Sequence, residues 1–222
     1  MLVKIPDILN VTEIDAVRSV LHQCDYVDGK LSAGINAQKY KINEEAAAGG
    51  EQFEALNNVV MSRLVQHPVY LNAILPVKIS MPIYARYTSG MSYGYHVDDP
   101  VMGGTARYRS DVSITIFLSD PDDYDGGELS IETSYGHQQV KLPAGHAILY
   151  PSSSRHAVQP VTRGERLVAI AWVQSMVRSP EQRQILFQLY QARDQLSDAP
   201  PGKAFQHLDD SYTNLVRMWA EI

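Results

Sequence analysis

Two histidines and an aspartate have the residue types and the spacing of a metal site. His96 and Asp98 are separated by one residue, and His156 follows sixty residues after His96. On an extended strand the first and third side chains point to the same side, so His96 and Asp98 can reach one ion together. Two imidazoles and one carboxylate on one face of an octahedral iron(II) leave three positions open for an oxidant and a substrate. The sequence therefore predicts a metal site whose third ligand comes from elsewhere in the fold.

The His-x-Asp tripeptide is a weak signal by itself, because such units also occur in solvated loops, and Pro100 follows closely. The order of the features around it makes the signal stronger. His156 begins an extended run that reaches Val161, and Arg166, ten residues after His156, opens the apolar stretch that ends at Val173. A 2-His-1-carboxylate site of this kind is typical of non-haem iron oxygenases.

Arg166 is the candidate anchor for a co-substrate. Activation of O₂ requires more electrons than iron(II) alone provides, and a 2-oxoacid supplies two of them by losing CO₂. The distal carboxylate of such an acid requires a buried cation, and a guanidinium binds a carboxylate bidentately and stays charged. Tyr87, nine residues before His96, could add a hydroxyl to the same carboxylate. The alternative is that Arg166 lies exposed after the turn at 162–165, a description that suits Arg163 better.

Length, composition and charge exclude several classes of protein. With 222 residues, 45% of them hydrophobic, the chain can bury one sizeable core. A net charge of −6 and the absence of a basic run argue against a nucleic-acid partner. The single cysteine, Cys24, cannot form an internal disulfide, which fits a reducing compartment. We see neither a signal peptide nor a stretch of ~20 apolar residues. We therefore expect a cytoplasmic protein without a membrane partner, and homo-oligomer formation stays open.

The hydrophobic periodicity divides the chain into three parts. Helical spacing predicts helices over 11–23 and 51–66, whereas the polar residues 30–50 are interpreted as a surface loop or a short helix. From residue 76 to 86 the period changes to two and predicts one strand, with Pro82 at a sheet edge or a bulge.

The β-rich part continues to Val177. Short apolar runs alternate with turns at intervals of roughly 8–12 residues, which is typical of a β-sandwich or barrel. Beyond Val177 the period returns to helical, with Ser179 and Pro180 at the start of one helix and a last helix over 208–219. The apolar faces of these helices would pack on the barrel or on another subunit.

Several motifs together resemble the bacterial PKHD-type hydroxylases, which belong to the iron(II)- and 2-oxoglutarate-dependent dioxygenases with a prolyl/lysyl-hydroxylase-like domain. The matching segments are Arg86-Tyr87…Gly90…Tyr93-Gly94…His96-Val97-Asp98, Leu118-Ser119-Asp120-Pro121, Tyr124-Asp125-Gly126-Gly127-Glu128-Leu129, Lys141-Leu142-Pro143-Ala144-Gly145, Leu149-Tyr150-Pro151-Ser152-Ser153-Ser154…His156, Val161-Thr162-Arg163-Gly164…Arg166 and Trp172…Gln174-Ser175. The resemblance covers nearly the whole chain, including its helical tail.

The resemblance implies a fold and a set of domain limits. The expected fold is mainly β with flanking helices, built on a double-stranded β-helix, or jelly-roll, core at about 77–177. The N-terminal helices would pack on this core within a dioxygenase domain of residues 1–177, followed by a C-terminal helical extension of residues 178–222.

The resemblance also implies ligands. It makes His96, Asp98 and His156 the ligands of Fe(II), and Arg166 the anchor of the co-substrate 2-oxoglutarate. Tyr87 matches a position where prolyl-hydroxylase relatives place a tyrosine on the same carboxylate. L-ascorbate often serves such enzymes by reducing the iron again.

We therefore predict a dioxygenase that couples oxidative decarboxylation of 2-oxoglutarate to hydroxylation of a substrate by O₂. The substrate, a peptide or a small molecule, is not fixed by the sequence. A first alternative is a jelly-roll protein that senses a metal or a ligand without turnover and would not decarboxylate 2-oxoglutarate. A second is a zinc hydrolase, because zinc accepts two histidines and a carboxylate. A zinc hydrolase needs a general base near the metal, and its mechanism would not require a buried cation at Arg166.

Residues 99–110 directly follow Asp98, so this loop must begin at the rim of the metal pocket. Gly103 and Gly104 would let its backbone bend at little steric cost. We expect a lid over the substrate, with Arg107 and Arg109 on its far arm. The alternative is an ordinary surface loop whose arginines pair with the acidic turn at 120–125.

Overall fold

The computed structural model describes residues 1–47, 49–197 and 202–221. Its helices are α1 (Val11–Gln23), α2 (Gly50–Gln66), α3 (Pro68–Ile74), α4 (Pro180–Gln195) and α5 (Lys203–Trp219). Its strands are β1 (Val3–Ile5), β2 (Tyr26–Asp28), β3 (Lys41–Ile42), β4 (Glu44–Ala46), β5 (Pro76–Ile79), β6 (Ile83–Tyr87), β7 (Ser92–His96), β8 (Val101–Met102), β9 (Tyr108–Arg109), β10 (Val112–Phe117), β11 (Tyr124–Gly126), β12 (Leu129–Thr133), β13 (Gly136–Val140), β14 (Ala147–Pro151), β15 (His156–Val158), β16 (Val161–Gly164) and β17 (Arg166–Ser175).

Two antiparallel sheets form the body of the molecule. The larger has eight strands in the order β1-β14-β10-β17-β6-β4-β2, with β5 also paired to β17. The smaller has five strands in the order β13-β12-β15-β7-β3. Apart from the β12–β13 hairpin, neighbouring strands of both sheets are not consecutive in the sequence, as in a jelly roll. The expected mainly β fold with a jelly-roll core and C-terminal helices is confirmed.

The hydrophobic residues form two separate cores, one on each face of the large sheet. Strand β17 contributes to both, because alternate side chains of a strand point to opposite faces. Val168 packs inside the barrel with residues of the small sheet such as Leu129 and Val158. Leu167 and Ala169 face outward, where they pack with the apolar faces of the N-terminal helices. The helices therefore cover the outer face of the large sheet and leave the barrel interior to the site.

The segment 30–50 is not the surface loop or helix that its polar composition predicted, apart from Ala48, which lies outside the described residues. Two 3₁₀ turns, Gly29–Ser32 and Ala37–Tyr40, lead into β3 and β4. Strand β3 pairs with β7 in the small sheet, and β4 pairs with β6 in the large sheet. The prediction was wrong because strands of two and three residues are too short to show a period.

The alternating stretch from 76 to 86 forms two strands instead of one. β5 and β6 both pair with β17, and the chain between them passes through Ser80, Met81 and Pro82. Pro82 has no backbone N–H to continue a ladder, so the expected irregularity lies at this residue. The Ser80 N–H donates to the carbonyl of Trp172, which keeps the break close to β17.

The helical tail packs through α4 on α3 and on the outer hydrophobic core, to which Phe187 contributes. Ser179 caps this helix and Pro180 is its first residue, as predicted. Arg183 is buried and donates to the carbonyls of Val177, Arg178 and Asp111, so its charge is well solvated by backbone oxygens. The last helix begins at Lys203, earlier than predicted. Within the described ranges, no helix has the length and apolar character to cross a membrane.

Candidate functional site

The three predicted metal ligands lie together at the end of the small sheet. His96 ends β7 and His156 begins β15, and the two residues are register partners on these paired strands. Asp98 follows β7 by two residues, and its Oδ1 lies 3.7 Å from Nε2 of His96 and 3.8 Å from Nε2 of His156. One ligand atom from each residue falls within 4.8 Å of the others. Pairing of β7 with β15 thus places a carboxylate and two imidazole nitrogens around one point.

Hydrogen bonds set the orientation of each ligand. Nδ1 of His96 lies 2.9 Å from the Gly94 carbonyl oxygen, and Nδ1 of His156 lies 3.0 Å from the Ser154 carbonyl oxygen. A carbonyl only accepts, so each Nδ1 carries the proton and each Nε2 keeps its lone pair for an ion. The hydroxyl of Ser113 donates to Oδ2 of Asp98, which leaves Oδ1 toward the imidazoles.

The surroundings favour a neutral imidazole at His96. Burial and the neighbouring His156 lower the pKa of His96 to about 4. The ring of His96 stacks on Tyr93 with 3.7 Å between centroids, and Tyr150 meets the ring of His156 edge-on at 5.0 Å. Because a histidine must be deprotonated at one nitrogen to bind a metal, the imidazole of His96 can accept an ion at neutral pH.

A cavity of about 380 Å³ runs between the two sheets and includes the three residues. Strand β17 forms one of its walls, with Arg166 at one end and Trp172 at the other. Six residues of strand separate these two side chains by ~20 Å, so the cavity has two distant ends. The remaining lining residues are Ser32, Ala33, Gly34, Ala37, Lys41, Glu45, Ser80, Met81, Ile83, Tyr87, Tyr93, Val97, Asp99, Val101, Met102, Gly103, Tyr108, Thr115, Leu129, Tyr150, Val158 and Ile170.

Arg166 is buried without a partner at the inner end of this cavity. Its side chain is 1% exposed, and within the described residues Nε, Nη1 and Nη2 have no hydrogen-bond partner. Burial of an unpaired guanidinium costs several kcal/mol, of the order of a buried ion's desolvation, so the structure calls for an anion beside it. Tyr87, its register partner on β6, is fully buried next to it. The predicted pair is therefore brought together inside the barrel.

Tyr124 is a further polar residue near Arg166 that sequence reasoning did not single out. Its hydroxyl is buried and has no hydrogen-bond partner within the described residues. Burial raises the pKa of Tyr124, and the positive charge of Arg166 opposes this shift. In the sequence, Gly127 is the residue that could have drawn attention to Tyr124. A Cβ at this position would lie 2.9 Å from the Tyr124 ring and 3.1 Å from Cδ of Arg166, so only glycine fits between them.

Arg163 is placed as the sequence predicted, in contrast to Arg166. It lies on β16 with an exposed side chain, and its Nε donates to Oδ2 of Asp125 at 2.7 Å. Two arginines three residues apart thus have opposite environments, because Arg163 lies on β16 with its side chain at the surface, whereas Arg166 begins β17 with its side chain inside the barrel.

Lys41 and Glu45 also line the cavity, although the sequence placed them in a surface loop. They are 6% and 7% exposed, and Nζ of Lys41 lies 2.5 Å from Oε1 of Glu45. Each comes from a different sheet, since Lys41 lies on β3 and Glu45 on β4. Opposite charges four residues apart were the only local signal, and such pairs are common on exposed helices.

The loop after Asp98 is a β-hairpin in which β8 pairs with β9. We call residues 101–109 the rim hairpin, because Met102 and Tyr108 line the cavity. Arg109 binds Asp111 at 2.6 Å and Glu221 at 3.3 Å, so the alternative pairing with the acidic turn at 120–125 is wrong for this residue.

Comparison with known proteins identifies the family. The sequence pattern of the 2OG-Fe(II) oxygenase superfamily matches residues 82–174. Over the full length of both chains, the sequence is 48% identical to a PKHD-type hydroxylase of Thioalkalivibrio sulfidiphilus and 42% identical to the PKHD-type hydroxylase PiuC of Pseudomonas aeruginosa. The chain belongs to the PKHD-type hydroxylases of the 2OG-Fe(II) oxygenase superfamily.

Solved structures agree with the fold of this hydroxylase. A viral collagen prolyl hydroxylase from Paramecium Bursaria Chlorella virus-1, in complex with 2-oxoglutarate, superposes with a TM-score of 0.56 at 18% identity, over 78% of this chain and 96% of that one. A prolyl hydroxylase of Trichoplax adhaerens, in complex with a peptide fragment, gives 0.57 at 17% identity, over 83% and 86%.

Family membership decides the reaction class. The PKHD-type hydroxylase is an oxidoreductase that depends on Fe(II) and 2-oxoglutarate and couples decarboxylation of 2-oxoglutarate to hydroxylation of a substrate by O₂. The predicted enzyme class and both predicted cofactors are confirmed. The sensing protein and the zinc hydrolase are not favoured.

Proposed function

We propose that His96, Asp98 and His156 hold the iron of this hydroxylase and that Arg166 binds the distal carboxylate of 2-oxoglutarate. The observation that carries the proposal is that a buried, unpaired guanidinium shares one cavity with a group of three metal-binding side chains. A co-substrate with a carboxylate at each end and a keto group could be held by the cation and the metal together.

The donor set fits iron(II). Two imidazoles with free Nε2 atoms and one carboxylate oxygen can occupy one face of an octahedral ion and leave the other positions to co-substrate, O₂ and water. Bound there, the iron supplies the redox chemistry by which O₂ is activated. Gly94, Ser154 and Ser113 fix the ligands through the hydrogen bonds already described, as outer partners of metal sites commonly do.

The residues around Arg166 fit the co-substrate. The guanidinium can donate two parallel hydrogen bonds to a carboxylate, and the buried hydroxyl of Tyr124 can donate a third. Burial raises the pKa of Tyr87 to about 12, so its hydroxyl stays protonated at neutral pH and remains a donor. The apolar side chains of Val168 and Phe117 exclude water from this end of the cavity.

The substrate would approach the iron from the other end of the cavity. Trp172 and the rim hairpin form the wall there, and Met81, Val97 and Val101 expose apolar surface beside it. We propose that the rim hairpin closes over bound substrate as a lid. A substrate held against this wall would present one carbon to the metal while the hairpin restricts access of water.

The test is an anaerobic mixture of enzyme, Fe(II) and 2-oxoglutarate that is then exposed to O₂, with succinate as the readout. We expect succinate formation even without substrate, and its loss when any of the three ligands is replaced. Succinate formation at the wild-type rate by His156→Ala, with iron retained, would contradict the assignment.

Four further proposals concern the compartment, the reductant, the domain limits and the oligomeric state. We propose that the enzyme acts in the cytoplasm, which the lone Cys24 supports. L-ascorbate would keep its iron reduced, and activity with and without ascorbate tests this.

Residues 178–222 would form an extension on a domain of residues 1–177. The half-buried apolar face of α5 supports a homo-oligomer, which light scattering would detect.

A further inference from the structure

The geometry points to a second recognition element in the cavity: Lys41, Glu45 and Ser32 form a polar clamp that binds a neutral amide group of the substrate. This inference rests on the proposed function, since it assumes that the cavity holds iron and 2-oxoglutarate. It adds a chemical class of substrate to that function.

The clamp is a built site inside the wall of the cavity. Nζ of Lys41 lies 2.5 Å from Oε1 of Glu45 and 2.9 Å from Oγ of Ser32, and Oγ of Ser32 donates to the same Oε1 at 2.7 Å. The side chains of Lys41 and Glu45 are 8% and 9% exposed, and all three residues line the cavity. Lys41 and Glu45 are therefore fixed in position and shielded from bulk water, whereas Ser32 is exposed and joins them at the mouth of the cavity.

One donor and one acceptor of the clamp are unused. An ammonium has three N–H donors, and Lys41 uses two of them on Ser32 and Glu45. Oε1 of Glu45 accepts both hydrogen bonds, whereas Oε2 has no hydrogen-bond partner among the described residues. Oε2 is not enclosed either, because it is not one of the buried polar atoms that lack a hydrogen-bond partner. It is therefore accessible to a bound molecule. The clamp can thus donate one hydrogen bond and accept one.

The charge balance of the clamp selects a neutral group. Lys41 and Glu45 already neutralise each other, so a carboxylate or an ammonium from the substrate would bring an unmatched charge into a poorly solvated place. An amide has no charge and presents a carbonyl acceptor beside an N–H donor. It therefore satisfies both free positions of the clamp without disturbing the ion pair.

Trp172 gives an independent indication of a polar substrate. Its indole Nε1–H is buried without a hydrogen-bond partner in the described part of the chain, and its side chain lines the same cavity. A buried donor without a partner costs free energy until an acceptor reaches it. A carbonyl of the substrate is such an acceptor, which again favours an amide-containing molecule over a hydrocarbon.

The clamp lies close enough to the metal ligands to position the reacting carbon. Lys41 is the register partner of Tyr93, with its Nζ 5.3 Å from the ring centroid. The same ring stacks on His96 at 3.7 Å between centroids. One aromatic ring therefore separates the clamp from a metal ligand, and an amide in the clamp would hold a neighbouring carbon near the iron.

The ion pair does more than join the two sheets. If the contact between β3 and β4 only stabilised the fold, apolar side chains could replace the ion pair, because they often stabilise a protein as well as a buried ion pair does. Two charged residues with free hydrogen-bonding positions, placed in the wall of a cavity, are instead suited to recognition.

The experiment compares four probes on the wild-type enzyme loaded with Fe(II) and 2-oxoglutarate under anaerobic conditions. The probes are N-acetyl-leucine methylamide, its analogue with both amides replaced by esters, N-acetyl-leucine and leucine methylamide, with binding measured by calorimetry. We expect the neutral diamide to bind about tenfold more tightly than the diester, which has no N–H donor, and than either charged probe. Equal affinity for all four would overturn the inference.

A capped pentapeptide that contains the same leucine identifies the source of the amide. Binding at least about tenfold tighter than that of the single-residue amide indicates a polypeptide substrate, because further amide units then contribute. Equal affinity of the two indicates a free small amide.

Two variants test the charge argument. Glu45→Gln leaves the charge of Lys41 without a counter-ion and should shift preference toward N-acetyl-leucine, whereas Lys41→Met should shift it toward leucine methylamide. Glu132→Gln, in an exposed ion pair with Arg155, should keep the wild-type order. If Glu45→Gln folds and also keeps that order, the clamp does not select by charge. If it does not fold, the order of the four probes on wild-type enzyme decides.

Failure of this inference can be told apart from failure of the proposed function. Succinate formation without substrate and retention of Fe(II) test the proposed function and need no probe. If both hold while the four probes bind equally, only the clamp is wrong. If both fail, the metal and co-substrate assignments are wrong.

Discussion

The guanidinium of Arg166 lies over the ring of Tyr87, with 5.1 Å between the guanidinium carbon and the ring centroid. The two residues are register partners on β17 and β6, so the sheet itself sets their separation. A cation on an aromatic face gains about 0.5–2 kcal/mol, which is less than the desolvation of a buried charge. The aromatic contact thus holds the guanidinium in place, and its N–H groups stay available to donate hydrogen bonds to an anion.

Replacement of this arginine should act on the co-substrate alone. Arg166→Met is expected to raise the KM for 2-oxoglutarate by a factor of hundreds, since loss of one partner of a buried charged pair costs on the order of 3–5 kcal/mol. Iron binding should change little. Arg163→Met is the matched control, because Arg163 is exposed and binds Asp125 on the surface. Steady-state kinetics and metal titration check both; similar KM values for the two variants would place the anchor elsewhere.

Removal of any proposed metal ligand should remove the iron and leave the fold. His96→Ala, Asp98→Ala and His156→Ala each leave two ligands, too few to hold Fe(II) against exchange with water. Metal content after desalting should fall to background while circular dichroism stays unchanged. His146→Ala, which removes a half-exposed histidine beside Asp7, should retain the metal. A ligand variant with wild-type iron content would exclude that residue from the site.

A single methyl group at Gly127 should disturb the co-substrate end of the cavity. The φ of Gly127 is +68°, and a Cβ there would lie 2.9 Å from the Tyr124 ring and 3.1 Å from Cδ of Arg166. Gly127→Ala should therefore raise the KM for 2-oxoglutarate by about tenfold or more, without loss of iron. Gly136→Ala has comparable backbone strain at φ +110° but meets nothing within 4 Å, so its KM should match the wild type. Equal KM values for both variants would separate Gly127 from the anchor.

The closed conformation of the rim hairpin should require glycine at position 103 but not at position 104. At Gly103, with φ +94°, a Cβ would lie 2.7 Å from the Ala106 carbonyl oxygen and 2.8 Å from the Tyr108 ring. At Gly104, with φ +52°, a Cβ would meet nothing within 4 Å. Gly103→Ala should open the hairpin and expose it to trypsin at Arg107, whereas Gly104→Ala should cost only about 1–2 kcal/mol of backbone strain. Identical digestion rates for the two variants would contradict this view of the hairpin.

The sequence by itself determined the local part of the site. His96 and Asp98 must share a side of any extended segment, because strand geometry has a period of two residues. The order of His156 and Arg166 behind them, together with the motifs of the PKHD-type hydroxylases, indicated the fold, the reaction class and both cofactors. The start of α4 could also be predicted, because Ser179 and Pro180 act within one helical turn.

Only the tertiary structure decided what lies around these residues. Pairing of β7 with β15 brings His156 beside His96, and pairing of β17 with β6 turns Arg166 into a buried cation without a partner. The burial of Lys41 and Glu45 arises in the same way, from strands of two and three residues that pair with distant β7 and β6. Such short strands show no hydrophobic period, and their environment is made by partners far away in the chain. That is why a polar segment could be mistaken for surface when it forms a wall of the cavity.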